Sequence, residues 1–240
     1  AHQCCAQDMS LGELIYFPVQ AKGLQLAILA EASGLEWTGF TVDKSPAGPK
    51  SWPAIKASGA SPFGQLPMLR TPGGRVVGQS VAIANYIAHR ASMHGAGDDD
   101  FALSQMCLAE GEDLYSLLLG AELARWKPRE VRAAKAEAVR GLIATTVPDH
   151  LAKLEALCAA PLGFTSTGQT AGELYLFGML YQTAAVAGAA SLDATPRLKA
   201  WFDRTKALPA VAKVLEGRSA IGSLGQYFMN DADYDRFNAA

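Results

Sequence analysis

The sequence predicts an α/β domain followed by an all-helical one. Three observations carry this. Up to Arg90, short apolar runs bounded by Pro and Gly alternate with stretches of helical spacing. From Phe101 onward only helical patterns occur. Between them, His94–Asp100 (HGAGDDD) joins glycine to a run of like charge, the composition of an exposed, irregular linker.

Each element follows in order. Leu14-Ile15-Tyr16-Phe17 is a short apolar run ended by Pro18, a buried strand. Leu24 to Ala32 has helical spacing and stops at Gly34, a C-cap signal. Trp37 to Val42 is the second strand. Lys44 to Ala60 carries several Pro, Gly and Ser and is expected to be a long loop. Met68-Leu69-Arg70 and Val76-Val77 flank Pro72-Gly73-Gly74 as a hairpin. Ser80 to Arg90 is a helix. A strand-helix-strand start implies a parallel pair, and the hairpin adds antiparallel strands. This order is that of a thioredoxin-like domain, expected over residues 12–92.

The all-helical domain is expected over 101–220. Residues 133–145 and 148–160 are rich in Ala, Leu and Glu, strong helix formers. Thr170-Ala171-Gly172-Glu173 is a capping box. The apolar stretch it opens, Leu174 to Ala190, falls short of the ~20 residues of a membrane span and is expected to be the buried centre of the helical domain. Helices over 198–208 and from Pro209 follow. The tail, 221–240, is polar and aromatic.

Half of the residues are hydrophobic, enough for a sizeable core. Charged residues are 18%, below the ~25% of soluble domains, which suggests surface covered by a subunit partner. A net charge of -2 and the lack of any Lys/Arg-rich block argue against nucleic-acid binding. Cys4 and Cys5 are adjacent near the start, Cys107 and Cys158 lie in helical patterns, and no C-x-x-C occurs. This points to a reducing compartment without structural disulfides. Cytoplasm is the expected location, and the start at Ala1 leaves a plastid-like organelle as the alternative. His2, His89, His94 and His150 show no metal-ligand spacing, so no metal is expected.

Phe63-Gly64-Gln65-Leu66-Pro67 is the most informative stretch. Proline can open a strand because it has no N–H to donate. X-Pro is also the common place for a cis peptide, which there would turn the Leu66 N–H and C=O toward an extended ligand. Ser80, expected as the N-cap of the next helix, sits where free N–H groups attract an anion. Tyr16 ends the first strand, where a phenol faces the cleft of a thioredoxin-like fold. Its hydroxyl can stabilise a thiolate. Moving a thiol from ~8.5 to ~6.5 requires about 2.7 kcal/mol. Taken singly, Tyr16 could equally be a core residue and Ser80 a plain cap. The turn from Phe17 to Gly23 lacks Cys, which excludes disulfide exchange at that place.

In combination, Tyr16-Phe17-Pro18-Val19, Gln65-Leu66-Pro67 and Gln79-Ser80 resemble the cytosolic glutathione transferases, best the Tyr-type sigma and pi classes. The resemblance spans residues 12–218 and implies glutathione as co-substrate and a hydrophobic electrophile as its partner. By resemblance Tyr16 is catalytic, Trp52 and Lys56 hold the glycine carboxylate, and Gln65, Leu66 and Pro67 take the cysteinyl part. Gln79 and Ser80 take the γ-glutamyl end. Asp113, in Glu112-Asp113-Leu114, reaches glutathione on a neighbouring subunit, which implies a homodimer. Phe17, Tyr115, Leu119 and Tyr227 are candidates for the electrophile pocket. Trp52 could instead be a packing residue, Lys56 a surface lysine and Asp113 a solvated carboxylate. Gln20-Ala21-Lys22 departs from the family's Arg-Gly-Arg-like segment, and Lys22 keeps one positive charge near the cleft. That departure and the added tail leave a second expectation open: a non-catalytic ligand-binding or accessory subunit of a larger assembly.

Overall fold

The computed structural model describes residues 9–159 and 162–239. Cys4, Cys5 and His2 lie outside them. The chain forms two compact units, one reaching to His94 and including Leu208–Gly225, the other comprising Gly95–Ala207 and the residues from Gln226.

In the first unit, β1 (Ser10–Tyr16), α1 (Gly23–Ala32) and β2 (Glu36–Thr41) are followed by α2 (Trp52–Ala57), β3 (Met68–Arg70), β4 (Val76–Gly78) and α3 (Ser80–Arg90). The four strands run in the order β2-β1-β3-β4. β1 pairs parallel to β2, with Leu14 opposite Gly39 and Tyr16 opposite Thr41. It pairs antiparallel to β3, with Leu14 opposite Leu69, and β3 pairs antiparallel to β4. A central strand is covered on both faces, and Leu11, Leu14 and Ile15 are accordingly buried. α1 is buried from Gly23 to Ala30. α10 (Pro209–Leu215) packs on α1 with Val211 and Val214 inward, and Lys213 pairs with Glu31. The segment after Lys206 thus returns to the α/β unit, where sequence patterns alone suggested one continuous helical domain. Nothing in its local sequence marks which core it covers.

Two expectations on local structure change. The 44–60 stretch contains α2, because Ser51 Oγ accepts from the Ala54 N–H at 3.1 Å and a proline opens the helix. Helix α3 is capped by Gln79, not Ser80, which is its first residue.

The second unit contains α4 (Gly97–Gly120), α5 (Arg129–Ala133), α6 (Ala136–Gly141), a π-helical turn (Leu142–Thr146), α7 (Val147–Leu157), α8 (Ala171–Ala187), a 3-10 turn (Ala189–Leu192), α9 (Pro196–Lys206) and α11 (Asp231–Ala239). The expected linker is partly helical. Asp98, Asp99 and Asp100 form the first turn of α4, where carboxylates favour the positive helix end. Asp100 is buried and accepts from the N–H of Ala96 and from the N–H and hydroxyl of Ser166. The Ser166 bonds hold its carboxyl below the usual carboxylate range.

α4 and α8 pack closely. A Cβ on Gly172 would lie 1.7 Å from the Ser104 carbonyl oxygen. Thr170 and Glu173 form the expected capping box. Glu173 is fully buried and receives five donors, from the Phe164, Thr165 and Thr170 N–H groups and the Thr165 and Thr170 hydroxyls, all at 2.6–3.2 Å. That number of donors offsets the cost of burying a carboxylate. The tail is built in rather than loose. The Met229 N–H donates to Leu123, the Arg125 N–H to Tyr227, and the Tyr234 hydroxyl to the Lys127 carbonyl at 2.8 Å. The Arg132 guanidinium stacks on Tyr234 at 4.3 Å. Among the described residues, no helix is long and apolar enough to cross a membrane.

Gly172→Ala tests the α4–α8 contact. The methyl meets backbone, which cannot swing aside, so stability should fall by about 3 kcal/mol, the upper range for overpacking. Denaturant unfolding measures this, and an unchanged midpoint contradicts the packing described.

Candidate functional site

Of the ten catalytic and glutathione-binding candidates, nine lie in the first unit. Tyr16 ends β1 and is 7% exposed. Its ring lies against Gly23, where an added Cβ would sit 2.5 Å from Cδ1. Only glycine lets α1 begin so close to the phenol. Between them Ala21 has φ +33, in the left-handed region, and is 1% exposed. This turn brings the Lys22 N–H to 3.4 Å from the Tyr16 hydroxyl oxygen. The Lys22 ammonium turns elsewhere and donates to Ser80 Oγ at 3.2 Å. Ser80 is 4% exposed at the start of α3. Gln79, at φ +69, makes no side-chain capping bond. Its Nε2 donates to Gln65 Oε1 at 3.3 Å. Cation, hydroxyl and helix N-terminus therefore converge at Ser80, a combination suited to a carboxylate.

The Gln79–Gln65 bond leads to the loop before β3. Ser61 Oγ donates to the Gln65 carbonyl and accepts the Gln65 N–H. Gly64, at φ +61, has Lys56 alongside; a Cβ there would meet the lysine Cε at 3.2 Å. Lys56 thus lies beside Gly64, the residue before Gln65. The Leu66–Pro67 bond is cis, and Pro67 is buried. Trp52, Leu66 and Phe17 pack on the cluster of Ile15, Val42 and Met68. The packing role weighed for Trp52 is therefore real, with the ring half-buried. Phe17 meets Tyr16 edge-on at 6.4 Å between centroids.

Asp113 belongs to the second unit. It is exposed on α4 and lines an open groove of about 840 Å³ with Ser116, Leu117 and His150. Nearby, His150 Nδ1 lies 2.6 Å from Glu110. Tyr115 packs edge-on against Phe228, and burial pushes its phenol above the ordinary value. The Tyr227 hydroxyl accepts from the Trp126 indole at 2.9 Å. Trp126 is 55% exposed, a large aromatic held outward that sequence patterns did not single out. Cys107 and Cys158 are free and buried. Burial raises both thiols, so neither is a ready nucleophile.

Sequence reasoning also missed Gly225. The Gln20 N–H donates to its carbonyl at 2.9 Å, and its own N–H donates to Pro18 at 3.1 Å. No local signal marks a glycine two hundred residues away as a partner of this turn.

Residues 24–90 match the family model for the glutathione S-transferase N-terminal domain. The match begins after Tyr16. Hematopoietic prostaglandin D synthase of Gallus gallus is 26% identical over 206 residues, 86% of this chain and 96% of that protein. A probable glutathione S-transferase 7 of Caenorhabditis elegans is 40% identical over 81 residues, 33% of this chain and 35% of that one. The crystal structure of the glutathione S-transferase from Ascaris lumbricoides superposes with a TM-score of 0.71 at 21% identity, covering 86% of this chain and 96% of that chain. The fold is that of a thioredoxin-like unit joined to a helical one. Residues 24–90 thus carry the glutathione S-transferase N-terminal domain, and the likeness to solved glutathione S-transferases extends, as a fold, over most of the chain.

Ala21→Gly tests the strain in the turn. Relief of a left-handed alanine, about 1–2 kcal/mol, outweighs the added backbone entropy of glycine, about 0.5–1 kcal/mol. The variant should be more stable by about 0.5–1 kcal/mol in denaturant unfolding. A loss of stability contradicts the assigned conformation.

Proposed function

We propose that this protein binds glutathione in the first unit and transfers its sulfur to a small hydrophobic electrophile. The observation that carries the reading is the Tyr16 hydroxyl at the end of β1, met by the Lys22 N–H. A phenol oxygen that accepts one hydrogen bond is a better donor through its own O–H. Aimed at the glutathione sulfur, that donor favours thiolate over thiol. The thiol proton leaves to solvent. The thiolate attacks an electrophilic carbon, a carbon–sulfur bond forms, and the leaving group departs with its electron pair, or in an addition the pair moves onto the acceptor.

The remaining residues have binding roles in this reading. Lys22, Ser80 and Gln79 take the γ-glutamyl carboxylate and amine. Gln65, Leu66 and Pro67 face the cysteinyl part, and Trp52 and Lys56 the glycine end. Asp113 acts on glutathione held by a second copy, so the working form is a homodimer. Relatives named glutathione S-transferase or prostaglandin D synthase support transfer or glutathione-dependent isomerisation. A second reading is binding without turnover. It is favoured by Gln20, which carries no charge beside the turn.

Tyr16→Phe separates the two. It removes one donor and little volume, so glutathione affinity should hold. The bound thiol should titrate about one to two units higher, a loss of about 1.4–2.7 kcal/mol. Thiolate is the form present above the pKa, so for a thiol starting at ~6.5 its fraction and the rate should fall about three- to twenty-five-fold at pH ~7. Thiolate absorbance against pH reads this directly. If the wild type already titrates like free thiol, binding without turnover is the correct reading.

Lys22→Ala addresses the carboxylate end. Loss of a charged donor, about 1–1.5 kcal/mol here, should raise the KM for glutathione about five- to ten-fold. kcat and the thiol titration should stay as in the wild type. A raised thiol pKa would instead assign the lysine to the sulfur.

A further inference from the structure

We propose that the C-terminal segment at Gly225 is a positioning element for Tyr16: it straps the Pro18–Gln20 turn, and through that turn sets the Lys22 N–H against the phenol oxygen. The inference rests on the thiol-activating role given to Tyr16 above.

The strap is a single parallel bridge between Val19 and Gly225. It has two hydrogen bonds, Gln20 N–H to the Gly225 carbonyl at 2.9 Å and Gly225 N–H to the Pro18 carbonyl at 3.1 Å. Its own anchor lies four residues earlier. Ile221 rests on Gly39 of β2 so closely that a Cβ on Gly39 would be 2.4 Å from the Ile221 Cα. The segment therefore spans from the sheet to the turn within one unit.

The turn needs outside support. The Val19 N–H folds back on the Phe17 carbonyl at 2.7 Å, and Ala21 stands at φ +33. An L residue persists in that conformation only where its flanks are held. On one side the Gln20 carbonyl accepts the Leu24 N–H at 2.9 Å and starts α1. On the other side the support comes from Gly225. Lys22 follows directly, and its N–H reaches the phenol oxygen at 3.4 Å. A contact already at the long limit weakens steeply with any further displacement. The strap thus acts at a distance from the sulfur, through backbone alone.

Gly225→Pro tests this, because it deletes the N–H given to Pro18 and leaves the residues from Tyr16 to Lys22 unchanged in sequence. The probe is glutathione, read by thiolate absorbance against pH. The bound thiol should titrate about half a unit higher than in the wild type, which for a thiol at ~6.5 lowers the thiolate fraction about 1.5-fold at pH ~7. The strap bonds only Pro18 and Gln20, but Lys22 follows the turn, so glutathione affinity should fall as well, by about two-fold, with Ser80, Gln79 and Gln65 left in place. Adding Ala21→Gly should return the titration toward the wild-type position, because glycine adopts φ +33 without the steric cost that makes alanine depend on the strap. A purely structural contact would not show that rescue. A Gly225→Pro protein that titrates like the wild type overturns the inference, as does a shift that Ala21→Gly fails to reverse. If Gly225→Pro does not fold, amide exchange in the wild type decides. Gln20 should exchange as slowly as the β1 amides, and fast exchange overturns the strap. The two proposals fail differently. A wild-type thiol that titrates like free glutathione removes the role of Tyr16 itself. A depressed wild-type value with no effect of the variant removes only the strap.

Discussion

The close approach of the Tyr16 ring to Gly23 sets the geometry of the first unit. A Cβ there would lie 2.5 Å from the Tyr16 ring, so hydrogen is the one side chain that fits. The chain must therefore leave β1, turn within six residues and enter α1 directly under the phenol. That compact turn forces Ala21 into the left-handed region and brings Lys22 back toward Tyr16. The same constraint sends the lysine side chain away, to Ser80. One steric requirement thus places a backbone donor near the phenol and a cation near the start of α3.

The second unit solves a different problem with the same economy. Its long central helices need close backbone contact, and Gly172 provides it beside Ser104. The loop before α8 carries N–H groups that no helix can satisfy. Glu173 collects them on one buried carboxylate. The capping residue and the loop are therefore a single electrostatic unit. A charge buried with five donors is more stable there than an uncharged residue that would leave them unpaired.

In the proposed reading the functional chemistry separates into backbone and side-chain parts. Carboxylate recognition would use side chains that can be exchanged one at a time: Lys22, Ser80, Gln79 and Lys56. Thiol activation would use one phenol and a peptide N–H whose placement depends on the residues of the turn. A lysine in place of arginine changes the first part through charge geometry, since an ammonium is a point donor and a guanidinium a planar fork. It leaves the second part intact, because any residue other than proline supplies the N–H.

The sequence by itself determined the strand and helix order to Arg90, the cis-proline loop, the Thr170–Glu173 capping box and the Tyr16, Gln65 and Gln79-Ser80 motifs. These are legible because they depend on neighbours a few residues apart: periodicity, caps and the special backbone of Pro and Gly. The short helix after Ser51, the first turn of α4 and the true cap of α3 were less legible, since each turns on a single local hydrogen bond or dihedral angle. Only the tertiary structure decided that 208–225 returns to the α/β unit, that the Lys22 ammonium serves Ser80, and that Gly225 supports the turn beside Tyr16. Those facts arise from residues 58 to about 205 positions apart. Such pairs leave no periodic or local mark, because what selects them is the fit of surfaces formed only when the core closes.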